Sequence, residues 1–213
     1  MQSKSEDLHG MVPDKSPVAL LLIDVINDLE FEGAERLLRY IPPMAERLAD
    51  LKRRAKAANI PVVYVNDNYG KWQSDFNKLI DRCRNENVRG KRLVEALLPD
   101  EDDYFVLKPK HSGFFSTTLE VLLEYLGTRT VILTGIAGNI CILFTANDAY
   151  MRDLQLFVPG DCCASNEARD NDYALEQMRT ILKADITPSP ELELEKILRD
   201  AKQPPSFPLV LHP

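Results

Sequence analysis

The chain has 213 residues, 45% of them apolar and 28% charged, with a formal net charge of −7. This length is most simply one α/β domain with enough residues for a substantial core. The acidic balance argues against a nucleic-acid-binding surface, and no apolar run in the sequence approaches the ~20 residues needed to span a bilayer.

The N-terminal segment is polar and has no apolar core of the kind found in signal peptides, which predicts a cytoplasmic protein. The cysteines show no metal-ligand spacing, so we expect free thiols; they are Cys83, Cys141, Cys162 and Cys163. We divide the chain into a polar arm (1–16), one folded domain (17–189) and a C-terminal helix with a proline-rich tail (190–213).

Apolar runs and helical periodicity alternate along the chain. Strands are predicted over residues 18–23, 60–65, 104–107, 131–133, 155–158 and 184–187. Helices are predicted over 33–57 (divided at Pro42-Pro43), within 72–91, over 119–126, from 139 onward, and over 168–182 and 191–202. This alternation indicates a three-layer α/β/α sandwich with a mostly parallel, doubly wound (Rossmann-like) sheet of about six strands. Such sheets bind ligands at the carboxyl ends of their strands.

The segment 130–150 carries the strongest chemical signal. A β-branched run ends at a turn containing Gly135 and Gly138, and a helix-compatible segment follows. Asn139 is a favoured N-cap residue, which would place Cys141 in the first helical turn. The helix dipole and nearby N–H groups are then expected to lower the thiol pKa.

Two further strands end in side chains that could act on such a thiol. Asp24 follows the first strand and Lys108 the third, so a parallel sheet would bring both to the same edge as Cys141. A carboxylate can move the thiol proton, and an ammonium group stabilises a thiolate. The three residues together suffice for covalent acyl transfer.

These motifs resemble the isochorismatase-like cysteine hydrolase superfamily, which includes nicotinamidases and N-carbamoylsarcosine amidase. The resemblance covers residues 18–187 and is carried by LLIDVIND (21–28), LKPKHSGFFST (107–117) and LTGIAGNIC (133–141). It implies that Asp24 is the general base and acid, that Lys108 supplies the positive charge, and that Cys141 is the nucleophile. It also implies an oxyanion hole formed by the backbone N–H groups of Ala137 and Cys141, and a cis peptide between Ile136 and Ala137.

The departures from the superfamily pattern bear on the reaction. Metal-dependent nicotinamidases use an aspartate and two histidines after the second strand, where this chain has Asp67 and no histidine. We therefore expect neither a metal nor another cofactor. Isochorismatases proper lack the nucleophilic cysteine, so Cys141 points to a carbon–nitrogen bond in a small amide, urea or carbamate.

A second set of residues is expected to shape the substrate pocket. An aromatic wall could be formed by Tyr69, Trp72 and Phe114, while Asn66 at the end of the second strand could bind substrate. The partners we expect are a small-molecule substrate and further copies of this chain in a homo-oligomer, with no nucleic acid and no membrane.

Three alternatives stay open at the level of the sequence. His111, three residues beyond Lys108, could serve as the base in a cysteine–histidine pair. A haloacid-dehalogenase-type phosphatase would also place an aspartate at Asp24, although its Asp-x-Asp pattern is broken by Ile26. A third alternative is a non-catalytic scaffold or oligomerisation domain.

Overall fold

The computed structural model describes residues 15–67, 76–85 and 87–201, and within them a six-stranded sheet is flanked by α-helices. The strands are β1 (Val18–Ile23), β2 (Val62–Asp67), β3 (Tyr104–Lys108), β4 (Thr130–Ile136), β5 (Gln155–Phe157) and β6 (Cys163–Ala164). The helices are α1 (Ala34–Leu37), α2 (Ile41–Ala57), α3 (Phe76–Asn85), α4 (Lys91–Ala96), α5 (Leu119–Leu126), α6 (Leu143–Tyr150), α7 (Ala168–Thr180) and α8 (Leu194–Ala201).

The strand order is β3-β2-β1-β4-β5, with β6 beside β4, and every pairing is parallel. All six residues of the central strand β1 are buried, as expected of a strand covered on both faces. The register aligns Ile23 with Val65 on one side and with Gly135 on the other. The carboxyl ends of β1, β2 and β4 therefore meet at one edge of the sheet.

Alternating side chains of β1 pack into two separate hydrophobic cores, one on each face of the sheet. Leu20 and Leu22 pack with α2, α4 and α8, whereas Leu21 and Ile23 pack with α5, α6 and α7. This arrangement confirms the predicted three-layer α/β/α sandwich with a parallel sheet. Within the described ranges, every helix is too short or too polar to pass through a bilayer.

Local sequence signals account for several element boundaries. The leucines of α5 recur at 3- and 4-residue spacing, and Gly127 ends this helix in the left-handed conformation with φ of 77°. Pro42 and Pro43 lie in the first turn of α2, where a proline has no intrahelical hydrogen bond to lose. The break between α1 and α2 therefore precedes the prolines instead of falling at them.

The last predicted strand is the main error in the sheet. Residues 184–187 contribute only an isolated bridge between Asp185 and Phe157, while the sixth strand is formed by Cys163 and Ala164. A two-residue strand has too few positions to show alternation, so the sequence pattern could not reveal it. β2 and β4 also run further than predicted, to Asp67 and Ile136, which carries both strands to the edge where the candidate site lies.

Candidate active site

Asp24 and Lys108 form a buried ion pair at the carboxyl edge of the sheet. Asp24 directly follows β1, and its backbone N–H donates to the carbonyl of Val65 at 3.0 Å. Lys108 is the last residue of β3 and is fully buried, and its Nζ lies 2.8 Å from Asp24 Oδ2. A cation in this position is held by the carboxylate, since a buried ammonium without a partner would be strongly destabilising.

Cys141 completes the cluster. Its Sγ lies 3.5 Å from Lys108 Nζ, and the carboxylate of Asp24 is close enough to affect the pKa of its thiol. Cys141 is partly exposed, whereas Cys83, Cys162 and Cys163 are buried. The fold thus brings the three sequence-predicted residues together, and Cys141 is the most exposed of them.

The charges of this cluster affect one another. Burial raises the pKa of Asp24 above its ordinary value, although the adjacent Lys108 ammonium opposes that effect. Burial by itself would lower the pKa of Lys108, but the negative charges of Asp24 and Cys141 outweigh it and the pKa is raised. Asp24 is therefore a stronger base than an exposed aspartate, and Lys108 remains positively charged at neutral pH.

The pKa of Cys141 is opposite in direction to the sequence prediction. Burial and the charge of Asp24 raise it to about 12, and the neighbouring Lys108 only partly offsets them. The prediction of a lowered pKa was wrong because it considered the helix terminus and ignored the carboxylate. A thiol of this kind is neutral in the resting protein, so its proton must be removed by a base during the reaction.

The turn that presents Cys141 begins with a cis peptide between Ile136 and Ala137, as the resemblance implied. One π-helical turn follows over Gly138–Ile142, in which the Ala137 carbonyl accepts hydrogen bonds from the N–H groups of Ile140 and Ile142 at 3.1 Å each. The residue at the N-cap is Ala137, so the prediction that Asn139 caps the helix was wrong. Cys141 nevertheless lies at the start of the helical segment that continues into α6.

Two residues that the sequence analysis missed hold this turn in place. Ser165 Oγ accepts the backbone N–H of Asn139 at 3.1 Å and donates to Asn171 Oδ1 at 2.9 Å. A Cβ atom on Gly138 would lie 2.1 Å from Asn171 Oδ1, so a larger residue there would displace the Asn171 side chain that Ser165 holds. The sequence offered one signal: Ser165 directly follows the segment VPGDCCA (158–164), which resembles the same superfamily.

A third missed residue, Thr145, joins the cysteine turn to the loop after β3. Its hydroxyl is fully buried, donates to the carbonyl of Cys141 at 2.7 Å and accepts the N–H of Gly113 at 2.9 Å. Gly113 lies five residues beyond Lys108 on the same connection. Thr145 therefore fixes the backbone of Cys141 relative to the chain segment that carries Lys108.

Two of the four predicted pocket residues, Phe114 and Asn66, are buried in the structure. Phe114 is only 6% exposed, packs in the second core and is covered by the Arg152 guanidinium 4.7 Å from its ring centre. Asn66 is fully buried, and its amide donates to the carbonyl of Ile26 at 2.8 Å, which braces the loop after β1. Both side chains are thus buried and make structural contacts, and their assignment to the pocket stays a prediction. Tyr69 and Trp72 lie outside the described residues.

His111 lies on the surface, where its ring packs against Phe144 with the ring centres 5.4 Å apart. The position beside the thiol is taken by Lys108. This geometry favours the aspartate–lysine pair over histidine as the partner of Cys141.

A metal bound as in the metal-dependent relatives does not fit the residues after β2. Of the aspartate and two histidines expected there, the sequence has only Asp67, whose carboxylate faces the Lys108 ammonium at 3.9 Å. Among the described residues, a second acidic group is formed by Asp100, Asp102 and Asp103 before β3. Its three carboxylates already form ion pairs with the ammonium groups of Lys52 and Lys56.

Comparison with known proteins identifies the family. The family model of the isochorismatase domain matches residues 18–188. This chain belongs to the isochorismatase family. It is 45% identical over 173 residues to the isochorismatase family protein YaaI of Bacillus subtilis, covering 81% of this chain and 94% of that one. It is 33% identical over 168 residues to the ureidoacrylate amidohydrolase RutB of Methylorubrum extorquens, covering 66% of each chain.

Solved structures show the same fold. An isochorismatase-like hydrolase from Alkaliphilus metalliredigens superposes with a TM-score of 0.69 at 24% identity, covering 87% of this chain and 93% of that one. The N-carbamoylsarcosine amidase from Thermoplasma acidophilum superposes with a TM-score of 0.63 at 24% identity, covering 83% of this chain and 98% of that one. The protein is thus a hydrolase of the isochorismatase family with the three-layer fold of these neighbours.

Proposed function

We propose that this protein is a cysteine-dependent amidohydrolase that cleaves a carbon–nitrogen bond of a small amide, urea or carbamate through a thioester on Cys141. The observation that carries the proposal is the contact of Lys108 Nζ with both Asp24 Oδ2 (2.8 Å) and Cys141 Sγ (3.5 Å). A base, a fixed positive charge and a nucleophile then lie within direct contact of one another. Each has a distinct part in the reaction.

In the first half-reaction, the Asp24 carboxylate takes the thiol proton while Cys141 Sγ attacks the substrate carbonyl carbon. The raised pKa of Asp24 favours this transfer, and the Lys108 ammonium stabilises the negative charge on sulfur. The backbone N–H groups of Ala137 and Cys141 are assigned to the developing oxyanion. Asp24 then gives the proton to the leaving nitrogen, the carbon–nitrogen bond breaks, and ammonia or a small amine departs.

In the second half-reaction, water replaces the amine. Asp24, again ionised, takes a proton from the water, which attacks the thioester carbonyl. The carbon–sulfur bond breaks, the proton returns to sulfur, and the acid is released. The same carboxylate serves as acid and base in turn, which a group with a raised pKa can do near neutral pH.

An ammonia-release screen over small amides, ureas and carbamates tests this proposal, with Cys141→Ala as the inactive variant. Cys163→Ala is the matched control, because it makes the same substitution at a buried cysteine one strand away. We expect activity in the wild type and in Cys163→Ala only. Hydrolysis that persists in Cys141→Ala would contradict the mechanism, and failure to turn over any member of the three classes would favour the scaffold alternative.

A further inference from the structure

Asp67 places a second carboxylate at the candidate site. It ends β2 opposite Lys108, and its backbone N–H donates to Asp24 Oδ1 at 2.7 Å, which anchors it to the cluster. Its Oδ2 lies 3.9 Å from Lys108 Nζ, beyond hydrogen-bonding distance, and 36% of its side chain is exposed. The Asp67 carboxylate thus faces both the buried ammonium and the solvent-accessible side of the site.

Among the described residues, the ionised side chains that face one another at Lys108 sum to a negative charge. Asp24 and Asp67 contribute two carboxylates, whereas Lys108 contributes one ammonium. Moving the thiol proton from Cys141 to Asp24 relocates one negative charge from oxygen to sulfur and leaves the sum unchanged. A ligand therefore meets the same excess of negative charge before and after the nucleophile is activated.

A carboxylate offers about four lone-pair sites, so Asp67 can accept an N–H from a ligand while it keeps its other partners. The same carboxylate repels an anionic group that approaches the sulfur atom. We propose that Asp67 makes the site selective for neutral or positively charged amides and ureas that present an N–H donor, and against substrates carrying a carboxylate. This inference rests on the proposed function for its substrate class, but the charge selection can be measured without turnover.

The experiment compares how fast Cys141 is modified by two thiol reagents of similar size and opposite charge. These are 2-aminoethyl methanethiosulfonate, a cation, and 2-sulfonatoethyl methanethiosulfonate, an anion. Modification is followed by intact mass, and Cys141→Ser identifies the signal of the nucleophile. The rate ratio is divided by the ratio for free N-acetylcysteine, which removes the intrinsic reactivity of the reagents.

We expect the wild type to prefer the cation by roughly tenfold or more at low salt. Asp67→Asn, which keeps the size of the side chain, should lower that preference about tenfold. Asp153→Asn is the matched control, because Asp153 is an exposed aspartate on the turn before β5, at the opposite edge of the sheet. It should leave the preference unchanged.

A second measurement uses only the wild type, so it tests the inference even if the Asp67 variant does not fold. Raising the ionic strength should reduce the cation preference towards the ratio seen with free thiol. An anion preference in the wild type, a preference insensitive to salt, or a folded Asp67→Asn variant that matches the wild type would overturn the inference.

Hydrolysis then separates this inference from the proposed function. Cation-selective labelling without hydrolysis of any amide would refute the proposed function alone. Hydrolysis of succinamic acid as efficient as that of succinamide, with no charge preference in labelling, would refute the selectivity alone.

Discussion

Replacing Lys108 by methionine is the most informative change at the site, because it removes the ammonium and keeps most of the apolar stem. Lys108 Nζ lies 3.5 Å from Cys141 Sγ. With an effective dielectric constant of about 20, a full negative charge on sulfur at that distance is stabilised by about 5 kcal/mol. Since each 1.4 kcal/mol corresponds to a factor of ten in rate, Lys108→Met should lower kcat/KM by about three orders of magnitude.

The same change also affects stability, because it leaves Asp24 buried without its cation. Removing one partner of a buried pair costs about 3–5 kcal/mol, so thermal unfolding of the variant must be followed alongside the rate of ammonia release. Lys110→Met is the matched control, since Lys110 is an exposed lysine two residues further along. The Lys110→Met variant should keep the kcat/KM of the wild type.

The assay also decides between Lys108 and His111 as the partner of Cys141. His111→Ala should retain activity, because the ring packs on the surface against Phe144. An inactive His111→Ala beside an active Lys108→Met, both folded, would refute the reasoning that assigns the charge to Lys108.

Three further predictions follow from the geometry of the turn. The rate of alkylation of Cys141 by iodoacetamide should rise about tenfold per pH unit between pH 7 and 9. The reason is that the thiolate fraction increases tenfold per pH unit at any pH well below a thiol pKa of about 12. A rate that is already constant near pH 7 would show that the pKa is lowered instead. Thr145→Val should lower kcat and reduce stability by about 1–3 kcal/mol, because the Cys141 carbonyl and the Gly113 N–H lose their shared hydrogen-bond partner. Thr145→Ser keeps the hydroxyl and should therefore retain kcat and stability. Equal kcat in the two variants would exclude a positioning role for Thr145. Gly138→Ala should abolish most ammonia release because its Cβ would overlap the Asn171 side chain of α7. Gly160→Ala is the control for a general effect of glycine replacement, because the tightest contact of its Cβ would be 3.1 Å to the end of the Leu175 side chain.

The sequence was sufficient to predict five of the six strands and the elements that carry the chemistry. β1 reads as a continuous apolar run that ends at Asp24, and β3 is short but is followed immediately by polar residues. The predicted parallel arrangement then required Asp24, Lys108 and Cys141 to converge, and the structure shows them in contact. The ends of strands are informative because an apolar run stops where the chain leaves the core.

Features that depend on contacts between distant segments could not be predicted. The direction of the Cys141 pKa shift depends on the distance of its sulfur atom from one carboxylate and one ammonium, and neighbouring residues in the sequence do not contain that information. The hydrogen bonds from the Gly113 N–H to Thr145 and from the Asn139 N–H to Ser165 join segments separated by 26 residues or more. Phe114 and Asn66 suggested a pocket by residue type, whereas their burial follows from packing against Arg152 and hydrogen bonding to Ile26.

The central claim is that Cys141 becomes acylated, and trapping the intermediate tests it most directly. The protein would be mixed with an amide that releases ammonia, quenched in acid within the first turnover and analysed by intact mass and peptide mapping. We expect a mass increase equal to the acyl group on the peptide that contains Cys141, and no increase in Cys141→Ala. Rapid turnover with no adduct on Cys141 at any quench time, together with ammonia release by Cys141→Ala, would contradict it.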